Sequence, residues 1–349
     1  EWATIPVIIC SSIRSEEVRS RAKQLGVYDF LNKPVNRYIL SWNLGLLFSV
    51  PESELAAASD VTAVEADYRA RFDRRKIAQI SALAPLPELA QKIMELTHEP
   101  SYSPKDLAEL VKQDQSLTAK ILKIVNSAYY GFPRKIGNID RAIVILGFNE
   151  VSNITIAACL MQVFPDDGEE KQLFDRRMFW THTLGTAYIA RALSGSVKDV
   201  SRRDAFVMGL LHDLGKVVLD QHFNEVFKYL LAAAAERNEP LHKVSHEILK
   251  IDHAEIGGII AESWKLPPKL VRAITYHHSP GLARLDDHSV HIAHLANCFC
   301  HIKDIGASGN PVPDKPYDGS FIALKQQHKN LDDIWESLKI DIDSIKLLI

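Results

Sequence analysis

The sequence predicts a mainly α-helical chain that opens with a short α/β segment. Two observations carry this. From Pro85 to the C-terminus almost every segment repeats its apolar residues at helical spacing, and no strand-like alternation follows residue 50. Residues 1–48 instead alternate strand and helix patterns. With 349 residues, 46% hydrophobic and 24% charged, the chain has the composition of an ordinary globular protein with room for two or three domains. A net charge of −3 gives no general basic footprint for nucleic acid. No apolar run reaches the length of a membrane span, and no signal peptide opens the chain. The four cysteines form no CxxC pair, which suits a reducing cytoplasm. The chain begins at Glu1, as expected of a start inside a domain.

Within the first segment, "IPVIIC" (residues 5–10) and "VYDFL" read as buried strands. A helix over 15–25, ending at Gly26, separates them. Lys33-Pro34 stops the second strand, and another helix runs to about Phe48. This order implies part of a parallel sheet. Residues 51–62, rich in Ala, Ser and acids, read as a linker. Val64 to Ile80 reads as a charged amphipathic helix, either a connector, a pairing helix or a solvated surface helix.

The remainder is a succession of helices. "ELAQKIMELT" follows Pro85 and Pro87. "SPKDLAELVKQD" has Ser103 as N-cap and Pro104 at the first helical position. "SLTAKILKIVNSAYYG" is given Ser116 as cap and Gly131 as stop. "NIDRAIVILG" and "NEVSNITIAACLMQVF" complete the first group. A helix from Phe174 to Leu193 places His182 on its inward face. A second, from Arg202 to Leu219, starts at a Ser201/Asp204 capping box and buries Phe206, Leu210, Leu214 and Val217. His212-Asp213, in "GLLHDLGK", sits within that apolar stripe.

A buried imidazole and a buried carboxylate need partners. A divalent metal is one solution and direct hydrogen bonding between helices is another. Lys216, three residues after Asp213, is within reach and can neutralise the carboxylate without metal. Nine of the 14 histidines fall between His242 and His301. His253 lies on a helix with Gly257 and Gly258, His277-His278 ends another helix, and "HIAHLANCF" supplies His294 and Asn297. A single histidine is more often structural, but histidines on several helices are how bundle metal sites are built. Cys298 and Cys300 read as buried thiols rather than a chelate, because i and i+2 do not share a helix face. "GASGNPVPDKPYDG" (306–319) reads as a turn-rich surface loop or a lid, and the acidic C-terminal helices from Leu331 as packing on the domain.

The order His182, His212-Asp213, His253, His277-His278 resembles the HD superfamily of metal-dependent phosphohydrolases. More closely, residues 80–300 resemble the HDOD family, on "SLTAKILKIVNSAYYG", "AIVILG", "GLLHDLGKVVL" and "WKLPPKLVRAITYHH". The resemblance implies one metal on His182, His212 and Asp213 with a final aspartate, and a second on His253, His277 and His278. Here the final acidic position falls at Asn297, and no Gly-Tyr-Pro turn follows the paired histidines. The HDOD family is taken as non-catalytic. Residues 1–48 resemble the second half of a receiver domain, with Ser11 as hydroxyl switch, Phe30 as aromatic switch and Lys33 as the lysine. The phosphoacceptor aspartate would lie upstream, so this segment would carry no phosphorylation at that site.

The expected organisation is therefore half of a flavodoxin-like receiver over 1–48, a linker and connecting helix over 49–80, and an all-helical HDOD output domain over 81–349. The leading reading is a cytoplasmic two-component response regulator whose HDOD domain is a non-catalytic output or scaffold module. Its partners would be other signalling proteins, with a homodimer through the 64–80 helix as one arrangement, and neither membrane nor nucleic acid as a target. The alternative is a phosphodiesterase acting on a nucleotide or cyclic dinucleotide. The cofactor is then iron or manganese, and under the first reading none.

Overall fold

In a computed structural model, residues 8–11, 29–32, 61–72, 88–96, 103–126, 131–163, 174–326 and 331–338 are described, with Arg21 and Ile77 singly. Two short strands, β1 (Ile8–Ser11) and β2 (Asp29–Asn32), pair in parallel, with Ile9 opposite Phe30 and Ser11 opposite Asn32. Both expected strands thus form, each running one residue past its expected end. Of the helix expected over 15–25 only Arg21 is described, and it is helical. The helix expected up to Phe48 lies outside the described residues, as does Lys33.

Helix α1 (Val61–Arg71) starts three residues earlier than its pattern suggested, so Val61 and Thr62 belong to a helix rather than a linker. It packs on the helical body: Tyr68 stacks on Tyr229 at 4.1 Å, and Arg69 Nε donates to the Ile248 carbonyl at 2.5 Å. Ile77 is helical, and the residues between it and Phe72 lie outside the description.

A first group of helices follows: α2 (Glu88–Leu96), α3 (Pro104–Lys112), α4 (Gln115–Val125), α5 (Ile139–Leu146) and α6 (Phe148–Val163). Ser103 and Asp106 form a reciprocal capping box ahead of α3. The cap of α4 is Asp114, whose carboxylate accepts from Leu117 N, and not Ser116. Both residue types cap helices well, and the earlier one lets the helix gain Gln115 and Ser116. Helix α6 is packed by α2 to α5 and buries every residue from Val151 to Met161. Its polar Ser152 and Thr155 hydroxyls donate to carbonyls one turn back, at 2.8 and 2.7 Å.

The second group is α7 (Arg176–Leu193), α8 (Arg202–Leu211), α9 (Leu214–His222), α10 (Asn224–Arg237), α11 (Leu241–Leu249), α12 (His253–Ser263), α13 (Pro268–Tyr276), α14 (His288–Ile302), α15 (Asp318–Ala323) and α16 (Leu331–Leu338). Helices α7, α8 and α14 form its centre, with α12 and α13 against α9 and α14. A buried Arg176–Asp220 ion pair at 2.6 Å ties α7 to α9. Ile334 and Trp335 of α16 are buried, as expected of a terminal helix packed on the domain.

The one long helix expected from Arg202 to Leu219 is broken. Asp213 adopts φ −100°, ψ 15°, outside the helical region, and the chain restarts as α9. Ser201 Oγ does cap α8 by accepting from Asp204 N, while the Asp204 carboxylate reaches Lys269 at 2.6 Å. The break turns the Asp213 side chain away from the α8 stripe and into the centre of the domain.

Candidate metal centre

Four chain segments bring ring nitrogens to Asp213. His182 comes from α7, His212 from the end of α8, His253 from the first turn of α12, and His277-His278 from the residues after α13. The side chains of His182, His212, Asp213, His253 and His277 are fully buried. Lys216 is buried as well, with Nζ 2.7 Å from Asp213 Oδ2. The other neighbours of that oxygen are His212 Nε2 at 3.3 Å and His182 Nε2 at 3.9 Å. On the Oδ1 side stand His253 Nε2 at 3.1 Å and His277 Nε2 at 3.7 Å. His182, His212, His253 and His277-His278 are thus in one cluster, whereas His294 lies outside it, donating from Nδ1 to the His277 carbonyl and accepting at Nε2 from Tyr317 N.

The tautomers follow from the carbonyls. A carbonyl oxygen only accepts, so His212 Nδ1 donates to Gly209 O and His277 Nδ1 to Ile274 O, both at 2.7 Å. With Nδ1 donating, an Nε2 that carries no proton presents its lone pair to the Asp213 carboxylate. Neither Nε2, nor Asp213 Oδ1, has a hydrogen-bond partner among the described residues. Two lone pairs converging on an anion repel unless a cation stands between them. The donor set therefore fits a divalent metal. Asp213, His253, His277 and His278 offer one group of donor atoms within 4.8 Å of one another, and His182, His212 and Asp213 offer a second.

Asn297 stands where the resemblance placed it, and its effect is visible. Its Oδ1 accepts from His182 Nε2 at 3.0 Å, so that nitrogen carries the proton and is withdrawn as a donor to a metal. The group around His253 and His278 is the better supplied of the two.

Burial favours the uncharged imidazoles, pushing His182, His253 and His278 well below the usual histidine range. For Asp213, burial works toward the neutral acid, but His212 and Lys216 outweigh it and hold the carboxyl well below its ordinary value.

One contributor escaped the sequence pattern. Asp314 lies in the 306–319 loop, which the structure folds over the cluster. Its carboxylate contacts His278 Nδ1 and stands 3.9 Å from His242 Nδ1, so these three form a third group of potential metal ligands. Gly306 anchors the loop at φ 67°; a Cβ there would lie 2.4 Å from His182 N and Met178 O. Asn310 Oδ1 accepts from Leu241 N at 2.9 Å. No periodicity can place an aspartate in a Pro- and Gly-rich loop, which is why its role was not legible. The His301 ring lies 4.6 Å from that of His182. Cys298 and Cys300 are buried, and Cys300 Sγ donates to backbone carbonyls. Burial pushes the Cys300 thiol up to about 12, so it is no thiolate ligand at neutral pH.

These neutral histidines predict acid sensitivity. Burial pushes His242 down to about 3, and His294 and His301 to about 4, from an ordinary 6.5. The unfolded chain takes up protons that the fold refuses. Their stabilising effect is therefore full above pH 6.5 and lost as pH falls through 4. Asp314, raised by burial to about 6, works in the opposite direction as a single group. The urea midpoint is expected to fall steadily between pH 6.5 and 4; a flat midpoint would mean these rings are solvated.

A His-Asp pair at a helix break, ringed by histidines from neighbouring helices, defines an HD-type helical domain. The HDOD domain family model matches residues 83–280, more than half the chain, and the chain belongs to that family. An uncharacterized protein of Treponema pallidum (strain Nichols) is 30% identical over 198 residues, which cover 56% of this chain and 38% of that protein. The chain thus spans well under half the length of that relative. An HDOD domain protein of unknown function from Geobacter sulfurreducens aligns with a TM-score of 0.64 at 23% identity, over 75% of this chain and 90% of its own. A candidate phosphohydrolase from Shewanella amazonensis SB2B aligns at 0.61 and 23% identity, over 78% and 96%. A candidate signal transduction protein from Marinobacter aquaeolei VT8 aligns at 0.62 and 22% identity, over 75% and 58%. These likenesses establish the fold. No described helix is long and apolar enough to cross a membrane.

Proposed function

We propose that this chain is a signalling protein whose HDOD domain is a non-catalytic output or scaffold module. The observation that carries this is the enclosure of the histidine centre. Asp213 and its ring partners are fully buried, the Asp314 loop lies over them, and the Lys216 ammonium already neutralises the carboxylate at 2.7 Å. Full burial of Asp213 and the Asp314 contact on His278 both act against the approach of a phosphodiester. The parallel β1–β2 pair, with Phe30 on β2, supports a receiver-like N-terminal segment. Helix α1 would pass its state on through Tyr68 and Arg69 to α10 and α11. The partners are other signalling proteins in the cytoplasm. A homodimer would use the outer face of α1, where Ala66, Asp67 and Ala70 are exposed.

A second reading is a metal-dependent phosphohydrolase, favoured by the lone pairs of His212 and His277 that converge on Asp213. Iron or manganese held by Asp213, His253, His277 and His278 would supply an activated water for attack on a phosphodiester.

Metal analysis of the purified chain, with a phosphodiesterase assay, separates the two. The first reading expects no turnover of nucleotide or cyclic-dinucleotide phosphodiesters, whatever metal is bound. Stoichiometric iron or manganese with hydrolysis that disappears in His212→Ala would overturn it.

A further inference from the structure

The histidine centre occupies the C-terminal end of α8, and a second feature lies at its other end. The first turns of α6 and α8, with the end of α7, enclose a cavity of about 840 Å³. That is within the span of small-molecule sites, about 300–1,000 Å³. Five cations line it against three carboxylates, a surplus of two positive charges. Each carboxylate is already engaged. Glu150 pairs with Arg191 and accepts from the Tyr188 hydroxyl, Asp204 holds Lys269 at 2.6 Å, and Asp199 meets His288 at 2.6 Å. Lys198 and Arg202 carry no ion pair among the described residues, and both are exposed.

Asn153 on α6 lines the same cavity. Its side chain is 98% buried, as its relative exposure is 2%, yet its Oδ1 accepts no hydrogen bond among the described residues. A buried carbonyl without a donor is an open demand for one. The cleft lies at the N-terminal end of α8 and the histidine centre at its C-terminal end, ten helical residues or about 15 Å apart.

We propose that this cleft binds a nucleoside phosphate. Lys198, Arg202 and the N–H groups of the first turn of α8 receive the phosphates, and Asn153 Oδ1 accepts an N–H of the base. The cation surplus accounts for the anion, and the orphaned carbonyl accounts for a donor-bearing heterocycle. None of these residues is part of the histidine centre, so the proposal stands apart from the reading of that centre.

Calorimetric titration of the full chain with ATP, GTP and inorganic triphosphate, in buffer containing EDTA, tests this. At least one nucleotide is expected to bind with saturation at one site per chain and more tightly than inorganic triphosphate. The Lys198→Ala/Arg202→Ala variant, altered only at exposed positions, should bind it about tenfold or more weakly, the loss of charge-assisted hydrogen bonds. Asn153→Leu should weaken nucleotide and leave inorganic triphosphate unchanged. Absence of saturable binding would overturn the proposal. So would nucleotide binding that is unchanged in Lys198→Ala/Arg202→Ala, or binding equal to that of inorganic triphosphate. The wild-type comparison of nucleotide with triphosphate decides the role of the base even if Asn153→Leu does not fold.

Discussion

Replacing Lys216 by Met is expected to cost about 3–5 kcal/mol of folding stability, the penalty for stripping one partner from a buried ion pair. The stem of Lys216 is packed and Met retains most of it, so the loss is electrostatic rather than a cavity. Asp213, fully buried, would be left facing the lone pairs of His212 and His277 with no cation. Urea unfolding measures the loss. Repeating it with saturating Mn²⁺ shows what else can take the place of the ammonium. A metal that binds only the folded chain adds RT ln(1 + [L]/Kd), about 2.7 kcal/mol at a hundred times Kd. Recovery by Mn²⁺ in Lys216→Met, and its absence in Lys216→Met/His277→Ala, would place the cation at this carboxylate. A Lys216→Met chain as stable as the parent without metal would mean that the ion pair does not neutralise Asp213.

Gly215→Ala is expected to cost about 3 kcal/mol, the upper range for overpacking a close contact. A Cβ at Gly215 would lie 1.9 Å from the His253 carbonyl oxygen, 2.8 Å from its carbon and 2.9 Å from Gly257 N. All three are backbone atoms, so no rotamer change relieves the clash. Helices α9 and α12 must separate, which draws His253 Nε2 away from its 3.1 Å approach to Asp213. Thermal unfolding should show the loss, and Mn²⁺ affinity should fall with it. Gly137→Ala, where nothing lies within 4 Å, is the matched control. Equal melting of the two variants would rule out the close crossing.

Most of the helices could be read from apolar spacing, because each of α2 to α5 buries one side against α6 or a neighbour. The break at Asp213 could not. Phe206, Leu210, Leu214 and Val217 keep helical spacing straight through it, and the apolar pattern is blind to a single residue leaving the helical region. The N-cap of α4 was ambiguous because Asp114 and Ser116 both suit the position, and packing chooses between them. In the centre itself, His182, His212, Asp213, His253 and His277-His278 were legible because they stand in a recognisable order on separate helices. Lys216 was legible because it follows Asp213 by three residues. Asp314 and His242 were not, since a loop carries no period and a histidine on an amphipathic helix looks structural.

The way the centre is distributed along the chain has a bearing on how the protein is made. Its parts extend from His182 to Asp314, and apart from the α8–α9 break and the adjacent His277-His278 none of them is local to another. At about 5–20 residues per second, the ribosome needs on the order of ten seconds to deliver the last of them after the first. Throughout that interval His182, and later Asp213, have neither their ring partners nor the covering loop. The emerging α7–α8 pair must wait, with its polar groups hydrated, for α12 to α14 and then for the 306–319 loop. Closure of that loop is therefore the step that covers the histidine centre, ahead only of the docking of α16.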